Sequence, residues 1–307
     1  MIKFSKSTDW QESLIRSFVW HPKLYKFAYC LVNDIVYVHS IGSNSSKNSN
    51  TIQLRNSHQK KVTGMTWHPI NDDMLGVSTE KAIFIWTIAG SQSSVRIIKD
   101  YITSPITSIT FDPSGDSVCF CTPQSSRIYI HKIDYEVGKE NEAVKLVWRF
   151  GSCFTHLLWS PDQMRLLAGT TSNYIRVFEN KNWSSKYWPI NLCQAACWSY
   201  DGKILLLATS DECSIYALTF YDPCQPDDVG GSNNLIKVTD TEEVTLDDGN
   251  IIGGRINDLA WDQSSQRLAV LFKGELVINI AMLLCNPLTF VSLYICLCVC
   301  FFYDKNS

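Results

Sequence analysis

Six short segments of this chain repeat one pattern: "SFVWHP" (17–22), "GMTWHP" (64–69), "SITFDP" (108–113), "HLLWSP" (156–161), "AACWSY" (195–200) and "DLAWDQ" (258–263). Each sets an aromatic after small or apolar residues, then a polar residue, then proline or a substitute. The aromatics are Trp20, Trp67, Phe111, Trp159, Trp198 and Trp261, spaced 47, 44, 48, 39 and 63 residues apart. A second element keeps step with them. Apolar runs centred on Val38, Ile85, Ile130, Val177 and Ala217 lie 18, 18, 19, 18 and 19 residues beyond the preceding aromatic. Between the two come strand-like runs such as "KFAYCLV", "SVCFCT", "RLLAGT" and "KILLLAT".

A unit of about forty to forty-five residues holding several short strands is the pattern of a β-propeller blade. The six aromatics are then structural anchors, each ending an inner strand and packing between neighbouring blades. Proline after them stops the ladder because it has no N–H to donate. Turns such as "DPSGD" and "SYDGK" reverse the chain, with Gly115 and Gly202 where a permissive φ is needed. One blade cannot bury its own faces, so the repeats must stack. Unrelated strands of a sandwich have no reason to keep a constant offset five times. The period-two alternation excludes a helical solenoid.

Composition agrees with a globular β protein. Of the 307 residues, 45% are hydrophobic and 19% charged, with a net charge of −3. That balance, with only Lys60–Lys61 as a local basic pair, excludes generic electrostatic nucleic-acid binding and predicts no direct nucleic-acid partner. The twelve cysteines contain no C-x-x-C pair and no histidine cluster at zinc-ligand spacing. Cys119 and Cys121 alternate as on one face of a strand. Buried free thiols and a reducing compartment are expected. "MIKFSKSTDW" lacks the apolar stretch of a secretory signal. The N-x-S triplets at Asn44 and Asn182 are of a kind common by chance.

No phosphate loop, H-E-x-x-H, G-x-S-x-G elbow or EF-hand loop is present, so no catalytic, cofactor or metal residue is assigned. His21 and His68 recur in "WHP", but Asp112, Ser160, Ser199 and Asp262 fill the same place in the other repeats. A position that takes His, Asp or Ser at the start of a turn caps backbone N–H groups. His58, in "SHQKKVTGMTWHP", is read as structural too. The partner-binding surface stays unassigned.

The organisation expected is a lead-in over 1–14, a propeller over 15–284 and a divergent apolar, Cys-rich tail over 285–307. Residues 41–50 form a Ser/Asn-rich loop. An insertion at about 222–255 carries eight acidic residues against Lys237 and Arg255, with glycines read as keeping it flexible. It surrounds an outer strand, "NLIKVTD", and is either a solvated loop or an acidic partner-binding one. The stretch Leu276–Tyr303 carries no charge. Its first part, "LVINIAMLL" (276–284), supplies the third strand of the sixth blade, near Asn279 or Ile280. The remainder, Leu288–Tyr303, is sixteen residues, short of the ~20 of a spanning helix. A tail anchor reaching back to Ile280 stays open, beside a variant or read-through end over Val291–Ser307 that invites aggregation. Cys296, Cys298 and Cys300 would share a strand face but lie too far apart for one zinc ion.

The repeats are similar to degenerate WD-repeat blades, with Trp86-Thr87 and Val177-Phe178 where Trp-Asp would stand. Segments 15–39, 154–189, 196–220 and 259–275 resemble successive blades of the aladin family of WD-repeat nucleoporins. The "NW…YWP" stretch, Asn182–Pro189, is the most distinctive. The likeness spans about residues 8–275 and stops around Gly274–Glu275. It therefore predicts an all-β WD-repeat propeller of about six recognisable blades, the sixth incomplete and the closing blade missing, with lowered stability. The resemblance implies a non-enzymatic scaffold without cofactor at the nuclear pore complex, held at the nuclear envelope by a transmembrane nucleoporin among other nucleoporins. It further implies support of nuclear protein import and a link to mitotic spindle assembly. The alternative is a generic WD-repeat adaptor in trafficking or ubiquitin ligation. A propeller hydrolase or lectin lacks convergent acidic or His residues at blade ends.

Overall fold

Each repeat folds as a small antiparallel sheet whose first strand ends on the recurring aromatic. The structure, a computed structural model, describes residues 15–41, 51–90, 92–99, 102–133, 144–147, 152–222, 228–245, 251–273 and 280–284. The lead-in 1–14, nearly all of the loop 41–50 and the tail 285–307, with Cys296, Cys298 and Cys300, lie outside them. No α-helix occurs among the described residues, and no helix there is long and apolar enough to cross a membrane.

The chain divides into two compact units, Met1–Leu157 and Leu158–Ser307. In the first unit, blade one comprises β1 (Ile15–Trp20), β2 (Lys26–Leu31), β3 (Val36–Ser40) and β4 (Thr51–Leu54). Blade two comprises β5 (Val62–Trp67), β6 (Met74–Thr79), β7 (Ile83–Ala89) and β8 (Gln92–Ile98). Blade three comprises β9 (Ser108–Phe111), β10 (Ser117–Cys121), β11 (Arg127–Lys132) and β12 (Val144–Val147). Blade four begins with β13 (Phe154–Trp159), which crosses the unit boundary, and continues with β14 (Arg165–Thr170), β15 (Tyr174–Glu179) and β16 (Ser185–Pro189). Blade five comprises β17 (Cys193–Trp198), β18 (Ile204–Thr209), β19 (Ser214–Thr219) and β20 (Ile236–Asp240), the expected outer strand "NLIKVTD". A hairpin of β21 (Val244–Thr245) and β22 (Ile251–Ile252) precedes blade six, described as β23 (Ile256–Trp261), β24 (Arg267–Phe272) and β25 (Ile280–Leu284). In every blade, strands neighbour one another in chain order.

The strand alternation dictates where the core sits. In blade one, Ala28, Cys30, Val36 and Val38 point to one face and meet Val62, Met65, Trp67 and Val77 of blade two. Comparable seams join blades two and three in the first unit, and blades four and five and blades five and six in the second. Fully burying one Val, Leu, Ile or Phe contributes about 1.5–3 kcal/mol, so these seams hold the blades together. Strands β6 and β14 are buried at all six positions; in β6 both faces meet a neighbour, Leu75 and Val77 in the seam with blade one and Met74 in the seam with blade three. In β10, Cys119 and Cys121 share a face, and Phe120 between them, turned to the seam with blade two, is buried as well.

The third strand of blade six falls where the repeat requires one, but later than the offset gives. Ala260 pairs with Ala269 and Ala269 with Met282. The residue equivalent to Val38, which pairs with Ala28, is therefore Met282 and not Asn279 or Ile280.

Candidate interaction surfaces

The six turn-capping positions share one function. Nδ1 of His21 accepts from the backbone N–H of Lys23 and Leu24, at 3.1 and 3.0 Å. Nδ1 of His68 does the same for Ile70 and Asn71, at 3.1 and 2.8 Å. Asp112 Oδ1 accepts from Ser117 N, Ser160 Oγ from Arg165 N, Ser199 Oγ from Ile204 N, and Asp262 Oδ1 from Arg267 N. The two histidines do more than cap. The His21 ring lies 5.0 Å from Trp67 and the His68 ring 4.9 Å from Phe111, each in the next blade. Because its Nδ1 accepts, His68 carries its proton on Nε2 and donates it to Gly115 O, 2.9 Å away. Burial holds both imidazoles below their ordinary value. Among the described residues, no group of His, Cys, Asp and Glu could hold a metal ion.

The six aromatics are not equivalent. Trp67, Phe111 and Trp198 are buried in the seam with the preceding blade of their unit. Nε1 of Trp67 donates to Val19 O, and Nε1 of Trp198 to Leu158 O, both at 3.3 Å. In each case the acceptor belongs to the residue before the previous blade's aromatic. Trp261 is half-buried against the seam of blades five and six, and its Nε1 has no partner among the described residues. Trp159, also half-buried, packs edge-on against Trp183 with ring centres 6.0 Å apart. Trp20 departs from the expectation of packing between blades: it is 54% exposed. Among the described residues of the first unit, no blade precedes it.

Trp20 instead belongs to an aromatic face on the side of blade one turned away from blade two. Phe18, Trp20 and Phe27 lie within 5.4 Å of one another by ring centres. Tyr29 stacks on Tyr37 at 5.1 Å farther along the same face.

His58 is not the residue that ties its turn to the blade. It is exposed, and the buried neighbour is Gln59. Gln59 Oε1 accepts from Trp86 Nε1, and its Nε2 donates to Asp34 O, both at 2.9 Å. A long amide thus bridges blade one to the third strand of blade two.

The acidic insertion departs most from its expected form. Residues 228–232 are not a free loop but a strap drawn over blade four. Arg165 is 2% exposed; its Nε donates to Val229 O at 2.9 Å and its Nη2 to Tyr221 O at 2.7 Å. Trp188 Nε1 donates to Ser232 O at 2.7 Å, and Lys186 Nζ to Gly231 O at 2.9 Å. The glycines here permit close approach, not flexibility. A Cβ on Gly230, at φ +73°, would sit 2.1 Å from Tyr221 O, and one on Gly231 2.5 Å from the Trp188 ring. Val229 is accordingly buried.

Between blades four and five opens a cleft of about 330 Å³. Ile190 and Leu235 give it an apolar floor; Asn173, Asn191, Glu212 and Tyr216 stand around it. The Tyr216 hydroxyl donates to the Glu212 carboxylate, and that bond holds the phenol above its ordinary value.

Repeated antiparallel sheets seamed face to face, each with a capped turn after an inner-strand aromatic, define a β-propeller of WD-repeat type. Solved structures show the same fold. The β-propeller domain of Cps50 (Swd1) from Myceliophteria thermophila superposes with a TM-score of 0.64 at 13% identity, covering 88% of this chain and 84% of that one. A chain of the mitotic checkpoint complex superposes at 0.61 with 12% identity, covering 85% and 72%. The family described as the Aladin seven-bladed propeller matches residues 1–299, and the chain belongs to that family. The match begins at the first residue and runs beyond Glu275, where the resemblance by segments ends, into the charge-free stretch.

Proposed function

We propose that this chain is a non-enzymatic scaffold of the nuclear pore complex that supports nuclear protein import, with a further part in mitotic spindle assembly. The observation that carries the reading is the family match over residues 1–299. A transmembrane nucleoporin would hold it at the nuclear envelope, with other nucleoporins as further partners. The fold suits such work: seams fix the blades, while an aromatic face, a strap and a cleft offer chemically different surfaces to partners. Buried thiols at Cys30, Cys121 and Cys193 suit the reducing cytosolic or nuclear side of the envelope. Fluorescent tagging at native expression tests the reading. A punctate nuclear rim that coincides with pores is the expected result, and a diffuse signal or a different organelle overturns it.

A further inference from the structure

The cleft between blades four and five differs chemically from the seam that it caps. Its floor is aliphatic, formed by Pro189, the buried Ile190 and Leu235. Around that floor stand hydrogen-bond acceptors. Glu212 is held in place by the Tyr216 hydroxyl, which donates to one of its carboxylate oxygens, Oε2. Asn191 donates one Nδ2 hydrogen to Asp211 Oδ2 at 2.8 Å, and its amide oxygen can accept from a ligand. Lys237 sits across the ladder from Tyr216 and is paired with Asp240. The lining therefore presents one carboxylate, Glu212, above an apolar floor, in about 330 Å³. That volume is at the low end for ligand sites, which suits one side chain with its flanking backbone and not a cofactor.

A long aliphatic stem ending in a cation matches this arrangement, since such side chains lay their methylenes on apolar surface and keep the charge at the rim. We propose that the cleft receives an arginine side chain from an extended segment of a protein partner. The stem lies along Ile190 and Leu235, and the guanidinium donates to Glu212 and to the amide oxygen of Asn191. Arginine is preferred to lysine because its planar fork meets a carboxylate with two donors at once. The inference stands apart from the assignment to the pore, because direct peptide binding reads it and cellular location does not.

The test uses the full chain labelled with fluorotyrosine and the fluorescein-tagged pentapeptide Ala-Ala-Arg-Ala-Ala, beside the same peptide with neutral, near-isosteric citrulline. The arginine peptide is expected to raise anisotropy saturably and to shift the Tyr216 fluorine resonance, assigned by its loss in Tyr216→Phe. Loss of a charge-assisted hydrogen bond predicts that citrulline, or Glu212→Gln, weakens binding by about tenfold or more. Asn191→Ala, at the rim, should weaken it about threefold and serves if Glu212→Gln lowers the thermal midpoint. Equal binding of the two peptides, an unmoved Tyr216 resonance, or undiminished affinity in the folded variants would overturn the proposal.

Discussion

Arg165 reaches from the start of β14 to the carbonyl of Val229, donating through Nε at 2.9 Å across 64 residues of sequence. Its Nη2 meets Tyr221 O, its guanidinium lies 5.0 Å from the Phe220 ring, and Nη1 pairs with Asp162 at 3.2 Å. One buried side chain thus closes both ends of the strap over blade four. Arg165→Ala leaves two carbonyls unpaired and a cavity behind, and should lower stability by about 2–4 kcal/mol. Urea unfolding measures that loss, and hydrogen exchange should show the amides of Gly230 and Ser232 losing protection first. A loss below about 1 kcal/mol would contradict the tie.

The strap also predicts a ranking among glycine substitutions. Gly230→Ala and Gly231→Ala each drive a Cβ to within 2.5 Å of a fixed atom, whereas a Cβ on Gly90 meets nothing within 4 Å among the described residues. Gly90→Ala should therefore cost only the left-handed backbone penalty of about 1–2 kcal/mol, Gly230→Ala about 1–3 kcal/mol more than that, and Gly231→Ala, which is not at positive φ, the clash alone, about 1–3 kcal/mol. Gly230→Ala, which carries both terms, should show a lower thermal midpoint than Gly90→Ala.

The blade aromatics should separate by burial and not by residue type. Trp67 is 5% exposed and bonded to Val19 O, while Trp20 is 54% exposed. Trp67→Ala is expected to cost about 3–5 kcal/mol and Trp20→Ala about 1 kcal/mol or less. Similar losses at the two positions, measured by denaturant unfolding, would mean that the first-blade aromatic is covered in solution.

Acid should weaken the fold through its histidines. His21 and His68 use Nδ1 as an acceptor, so protonation there breaks the turn caps. Burial depresses both of these, and His156 as well, below the ordinary 6.5. The unfolded chain then takes up protons before the folded one does. Their contribution to stability is complete above about pH 6.5 and declines as pH falls from there through the folded values. Urea midpoints should be level from pH 7 to 8 and drop towards pH 5, and a level profile across that range would contradict the caps.

Thiol chemistry offers an independent check on the core. Burial pushes Cys30, Cys121 and Cys193 up to about 12, so none of the three is a thiolate at neutral pH. Maleimide labelling mapped by mass spectrometry should leave these three unmodified in the native protein and modify them in urea. Rapid native labelling at Cys121 would contradict the packing of blade three.

The blades were legible in the sequence because the inner-strand aromatic and its capped turn recur at local spacing. His21, Asp112 and Ser160 could be recognised as caps because three residue types shared one position. The third strand of blade six was found, yet placed two to three residues early, since the connection before β25 is longer than in the other blades. Gln59 was missed because its polar neighbours, His58 and Lys60, mask a buried amide whose partner is Trp86. Charge and glycine dominate residues 222–255, a composition that reads as a solvated or an acidic partner-binding loop and hides the strap. Its anchor, Arg165, bonds backbone carbonyls 56 and 64 residues away, which no side-chain pattern encodes. The cleft was unreadable for the same reason: Asn173, Glu212 and Leu235 come from three separate connections.

The most direct test is native purification of the tagged chain from nuclear envelopes at endogenous expression, with quantitative mass spectrometry of what it retains. Nucleoporins, a transmembrane one among them, should dominate. Recovery of trafficking or ubiquitin-ligase complexes without nucleoporins would contradict the assignment to the pore.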